Sequence, residues 1–240
     1  MKRFFKYFFI MLLIVLITIS SYFIFTQKQK EYQEDIIVEE LQELAIGKEE
    51  KSEINLQKLY DINSDIVGWI KIDGTNINYP VMQNKKEPEF YLRRNFYKEY
   101  SVYGTPFLDN SCDLDTSDNL IIHGHNMMNK KMFGELENYK DNRYFNNHKI
   151  IKFYTLDEIE EYEIIAVFKT TLYKQDAFKY YQCVNFSNEN KLNYFLDKCN
   201  ELNFYRIEID AKYGDKFITL STCEYSKNNS RLVVVGKLIS

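Results

Sequence analysis

The segment Phe217-Ile218-Thr219-Leu220-Ser221-Thr222-Cys223-Glu224-Tyr225 runs an apolar, β-branched strand straight into a cysteine. A thiol at the end of a rigid strand, facing the polar stretch 226–230, is well placed to meet a substrate, and its thiolate would be the attacking species. On its own, a cysteine at a strand end is more often structural. A thiol nucleophile needs an imidazole that accepts and returns a proton, and the chain has three histidines. His123 and His125 close the strand-like run Asn119-Leu120-Ile121-Ile122-His123-Gly124-His125-Asn126-Met127. With Gly124 between them, both point the same way in an extended segment. His148, in the polar turn Asn146-Asn147-His148-Lys149, reads as an exposed bystander. His123, His125 and Cys223 could also hold a metal, but no acidic residue or second cysteine clusters with them, so no metal site is assigned. Arg231 stands eight positions after Cys223, at the mouth of the next apolar strand. A guanidinium there is either solvated or donates to the oxyanion of a tetrahedral intermediate.

The elements that must position these groups read mainly as strands. Short runs rich in β-branched and aromatic residues, most bounded by Gly, Asp, Asn or Ser, predict strands over 66–72, 76–82, 103–109, 119–123, 149–155, 162–168, 205–209, 216–221 and 232–238. Asp73-Gly74 is a hairpin signal between the first two. Many short strands with few long helices favour a closed or nearly closed barrel. Helical interruptions are expected at 88–97, 128–139 and 188–202, the last capped by Ser187, and a short helix at 56–62. Leu192, Phe195, Leu196, Cys199 and Leu202 recur at helical spacing, which puts Cys199 on a buried face. With Cys112, Cys183 and Cys223 it makes an even count, but spacing alone establishes no disulfide.

Ahead of this region, Lys2, Arg3 and Lys6 precede an apolar run over 7–25. Nineteen helical residues reach about 28 Å, close to a bilayer's hydrocarbon thickness. No small-residue cleavage site follows, so the run reads as an uncleaved signal anchor rather than a signal peptide. The basic flank predicts that everything from about residue 27 lies outside the cell. Residues 27–52 are charged and poor in Gly and Pro, with Ile36, Ile37, Leu41, Leu44 and Ala45 suggesting a partly amphipathic stalk helix that ends near Gly47. The expected domains are therefore a cytoplasmic stub with a membrane anchor (1–26), a helical stalk (27–54) and a catalytic domain (55–240). The composition, 45% hydrophobic, 16% aromatic and 28% charged, excludes disorder. A net charge of −4 gives no footprint for nucleic acid.

Taken together the pieces resemble a known family. Thr219-Leu220-Ser221-Thr222-Cys223, with Arg231 opening the next strand, looks like the TLxTC signature of sortases. Ile122-His123-Gly124-His125-Asn126-Met127 resembles the family's GHN segment. Gly68-Trp69-Ile70-Lys71-Ile72 through Asn78-Tyr79-Pro80-Val81-Met82-Gln83 is similar to the opening hairpin of class B members, as is the stretch from Tyr91-Leu92 through Gly104-Thr105-Pro106-Phe107-Leu108-Asp109. Class B members often carry tyrosine where this chain has His123. The resemblance implies a mainly β fold, an eight-stranded barrel with peripheral helices behind an N-terminal transmembrane helix. It implies a cysteine transpeptidase in which Cys223 is the nucleophile, His125 the acid/base and Arg231 the oxyanion donor. The backbone N–H of Glu224 would be a second oxyanion donor, and Ser221, Thr222, Glu224 and His123 would contact substrate. No cofactor is implied. The substrates would be surface proteins bearing an NPxTx- or LPxTG-like sorting motif, cleaved after Thr, and the acceptor a peptidoglycan or lipid-linked precursor amine. Other readings are an exported cysteine endopeptidase using water, a pilin-polymerising sortase, or an idle surface-binding module.

Overall fold

The structure is a computed structural model that describes residues 2–46, 54–171, 177–224 and 229–240, and it divides into two compact units, Met1–Glu40 and Leu41–Ser240. Helix α1 (Lys2–Ile46) begins in the first unit. Its apolar stretch, with a mean hydropathy of 2.6, is long and apolar enough to cross a membrane, and side chains such as Phe8 and Leu16 are more than half exposed. Gly47, the expected end of the stalk, lies outside the described residues.

In the second unit eight strands close a barrel. They are β1 (Ile66–Lys71), β2 (Asn78–Met82), β3 (Phe107–Leu108), β4 (Asn119–His123), β5 (Ile150–Tyr154), β6 (Ile159–Thr171), β7 (Phe217–Glu224) and β8 (Ser230–Leu238). Their order around the barrel is β1-β2-β3-β4-β7-β8-β6-β5, closed by β5 pairing with β1. The β2–β3 and β4–β7 pairs are parallel and the others antiparallel. Both faces of the barrel wall are covered, and Trp69, Phe153, Phe168, Phe217, Ile218 and Val233 are all sealed from solvent. Trp69 satisfies its indole by donating to Asn78 Oδ1 at 2.7 Å. The Asp73-Gly74 turn forms as expected, with Gly74 at φ +78° and Ile72 N donating to Ile77 O at 2.9 Å.

The helices are α2 (Gln57–Ile62), α3 (Asn142–Asn147) and α4 (Glu189–Leu202). On α4, Leu192, Phe195 and Cys199 face inward as their spacing predicts. The cap of α4 is Asn188 rather than Ser187, its side chain accepting from Lys191 N at 3.1 Å. Helical structure in 88–97 and 128–139 shrinks to 3-10 turns at Phe90–Arg93 and Gly134–Lys140. The strand expected at 103–109 survives only as β3. Pro106 has no N–H to give, Gly104 takes φ +59°, and Ser101 Oγ accepts from the N–H groups of Tyr103 and Gly104. No strand forms at 205–209. Tyr205, Ile207 and Ile209 do alternate with more exposed neighbours, but the segment lies along the barrel without a ladder partner. It is held instead by Phe204 N to Val167 O (2.8 Å) and Tyr205 Oη to Tyr139 O (2.5 Å). A period of two registers an alternating face, and hydrogen-bond pairing is a separate requirement. His148 is not an exposed bystander either. It caps α3 half-buried, its ring 4.2 Å from that of Tyr144, and stands away from the cleft described below.

Candidate active site

Two adjoining strand pairs build the site. β4 runs parallel to β7 with His123 opposite Ser221, and β8 runs antiparallel on the other side with Arg231 opposite Cys223. Side chains of directly opposed residues share one face of a sheet. The register therefore puts the thiol and the guanidinium on one face, and Arg231 steadies its fork by donating from Nη1 to Ser230 O at 3.1 Å.

Where β4 ends, its chain keeps hold of β7 by other means. Gly124 N donates to Ser221 O at 3.1 Å, Thr222 Oγ1 donates to Gly124 O at 2.8 Å, and Asn126 Nδ2 donates to Cys223 O at 2.7 Å. Asn126 thus substitutes a side-chain amide for a missing ladder donor and fixes the carbonyl of Cys223 itself. Gly124 is required by packing: a Cβ there would come within 2.7 Å of the Phe133 ring. Phe133 N in turn donates to His125 O at 2.9 Å, which holds the histidine's backbone.

His125 is half-buried, and its Nε2–H donates to Leu92 O at 2.8 Å. A carbonyl can only accept, which assigns the tautomer of the neutral ring and leaves Nδ1 to exchange a proton. Burial depresses the pKa of this imidazole. The Leu92 carbonyl opposes that shift, and the positive charge of Arg93 adds to it. Cys223, His125 and Arg231 line one cleft of about 410 Å³, within the size range of small-ligand sites.

The same cleft holds His123, and here the structure adds a residue that spacing does not reveal. Asp109, directly after β3, meets His123 Nε2 through Oδ2 at 2.9 Å, so the histidine pair does have an acidic partner. Asp109 Oδ1 accepts from Ser111 N (2.9 Å) and Ser111 Oγ (2.6 Å). Burial would raise its pKa, but the bonds to His123 and Ser111 win and hold the carboxyl at about 2. Ser221 and Thr222 lie in the cleft wall at 2% and 1% exposure. Ser221 Oγ is bonded to Tyr180 Oη at 2.5 Å, and Thr222 is committed to Gly124. Burial pushes the Tyr180 hydroxyl up to about 12, so it stays protonated and bonded. Glu224 ends β7 opposite Ser230. The carbonyls of Ser221 and Cys223 both face the β4 side, so alternation turns the Glu224 N–H toward β8. The other three cysteines stand apart from the cleft lining, and all four are free thiols.

The sequence pattern singled out neither Asp109, Asn126 nor the Leu92 carbonyl as site groups. Asp109 and His123 are fourteen positions apart and meet only because β3 pairs with β4, and a backbone carbonyl carries no residue signature at all.

Comparison with known proteins agrees with this geometry. The family model described as a sortase domain matches residues 70–239. Sortase B of Staphylococcus aureus is 33% identical over 235 residues, covering 95% of this chain and 94% of that protein. Among solved structures, the Staphylococcus aureus sortase B-substrate complex is similar with a TM-score of 0.77 and 32% identity, covering 88% of this chain and 99% of that one. Clostridium perfringens sortase B is similar with a TM-score of 0.69 and 34% identity, covering 77% and 99%.

Proposed function

The chain belongs to the sortase family and matches class B members over most of its length, and from that premise we propose how this cysteine transpeptidase works and on what. Cys223 is the nucleophile, His125 the acid/base and Arg231 the oxyanion donor. The thiolate of Cys223 attacks the carbonyl of a Thr in a sorting motif near the C-terminus of a surface protein. The C=O π electrons move onto oxygen, and Arg231 meets the resulting oxyanion. Collapse breaks the C–N bond to give a thioester, while His125 passes the proton on Nδ1 to the leaving amine. An amine of peptidoglycan or of its lipid-linked precursor then attacks the thioester and takes over the protein.

The observation that supports this reading is the register that sets Cys223 directly opposite Arg231, with His125 in the same cleft. Arg231 is the principal oxyanion donor, because the Glu224 N–H faces β8 and would join only if the end of the β7–β8 ladder opened. The motif is of the NPxTx kind, in keeping with the class B likeness. The apolar part of α1 anchors the enzyme in the membrane, and Lys2, Arg3 and Lys6 keep its N-terminus on the cytoplasmic side with the barrel outside.

The test uses the full chain in detergent micelles with NPxTx and LPxTG peptides, with and without an amine. Cleavage after Thr, faster on NPxTx, and an amine-dependent ligated product are the expected results. The same hydrolysed product whatever the amine concentration would make the enzyme an endopeptidase. Preference for LPxTG would remove the motif inference alone.

A further inference from the structure

Transpeptidation must dispose of two protons at the second step, and the cleft holds two imidazoles. An acceptor amine arrives as an ammonium ion and cannot attack until it loses one proton. After attack, the nitrogen of the tetrahedral adduct must lose another. His125, left neutral once it has protonated the first leaving amine, can take only one of them.

We propose that the Asp109–His123 pair is the base that deprotonates the incoming acceptor ammonium at the thioester stage, an inference that rests on the transpeptidase reading above. His123 Nε2 is engaged by Asp109, so Nδ1 is the nitrogen left to accept a proton. Asp109 is itself fixed at both oxygens, by His123 on one and Ser111 on the other. A carboxylate held this way orients an imidazole and stabilises the imidazolium that forms. Phe107 packs against the ring, with centroids 5.4 Å apart.

Position fits the task as well as chemistry does. His123 is the register partner of Ser221, and Cys223 is two residues further along the same face of β7. Strand rise and spacing put the Cα atoms of His123 and Cys223 about 8 Å apart, a gap that an amine nitrogen beside a thioester carbon would bridge. The cleft lining also includes Glu89 and Asp109, which attract a cation, whereas Arg231 carries the positive charge at the thioester.

The step balances. The ammonium gives one proton to His123 Nδ1, and the free amine attacks the thioester carbon. The C–N bond forms, the adduct nitrogen passes its second proton to His125, and the C–S bond breaks to return Cys223 as thiolate. His125 is then imidazolium again, as at the start of the cycle, and His123 releases its proton to solvent.

The experiment separates the two half-reactions in the full chain in micelles. Acyl-enzyme is formed with sorting peptide and followed by intact mass, then mixed with glycine-type amines, which are protonated at neutral pH, or with hydroxylamine, which is not. His123→Gln keeps a donor for Asp109 but has no base. It is expected to slow attack by the basic amines on the order of tenfold or more, and attack by hydroxylamine by less than about twofold. Asp109→Asn, which preserves the shape of the pair, supplies the same comparison independently. Equal slowing of both acceptors, or no slowing of either, would overturn the inference while leaving the transpeptidase reading intact. Failure of the wild-type chain to form any acyl-enzyme would overturn that reading first.

Discussion

At the scale of single residues, the site depends on charges placed opposite a thiol and on which ring nitrogen is already occupied. Arg231→Lys keeps a positive charge but loses the planar fork, so acylation should fall by roughly a hundredfold in kcat/KM, as when an oxyanion donor is lost. Stopped-flow release of the leaving peptide measures this, and an unchanged rate would remove Arg231 from the mechanism. Asp109 makes a prediction about stability. Its carboxyl is held at about 2 in the folded chain against an ordinary value of 3.8, so the folded state binds protons less readily than the unfolded one. The stabilisation is therefore fully present above the ordinary value and is lost as pH falls toward about 2, amounting to ~2 kcal/mol. Urea unfolding at a series of acid pH values should show Asp109→Asn losing less stability across that window than the wild type. Cys223, His125 and Arg231 are legible in the sequence because each sits in a short motif on or beside a strand. Asp109 is not, because its partner is chosen by strand pairing rather than by spacing.

At the scale of elements, the junction between the end of β4 and β7 governs the placement of His125. The Phe133 ring closes on Gly124 where a Cβ would need 2.7 Å. Gly124→Ala should cost about 1–3 kcal/mol through overpacking, and it should lower the acylation rate as well, because the displaced residue adjoins His125. Adding Phe133→Leu should restore part of both losses, and the shortfall from additivity measures the contact. A fully additive double variant would show that the two residues do not press on each other. Most strands are legible from β-branched and aromatic runs, and Cys199 from the helical spacing of α4. The exceptions have physical causes. Residues 205–209 alternate in burial without a partner strand, and Pro106 with Gly104 cuts 103–109 down to two paired residues. Asn188 rather than Ser187 caps α4, since both residue types serve and only the fold decides which carbonyl begins the helix.

At the scale of the whole molecule, the second unit begins before the segment that the sequence pattern assigns to the catalytic domain. Leu41 and Ala45 are 2% and 1% exposed. Gln42 Nε2 donates to Asn78 O at 3.0 Å, and Asn55 N donates to Ala45 O at 2.8 Å. A fragment that starts at residue 55 gives up these contacts, and exposing the surface under Leu41 alone is worth about 1.5–3 kcal/mol. It should unfold at lower urea than a fragment that starts at residue 34, while keeping the same cleft chemistry. Equal midpoints would show that this turn of α1 adds nothing to the barrel.

Of the four thiols, Cys223 is the one expected to carry the acyl group. Incubating the full chain with a sorting peptide and no acceptor, quenching in acid and mapping the adduct by tandem mass spectrometry addresses it directly. A thioester through the Thr carbonyl is expected on Cys223, none on Cys112, Cys183 or Cys199, and no adduct in Cys223→Ala. An adduct on another cysteine, or cleavage that persists in Cys223→Ala, would contradict it.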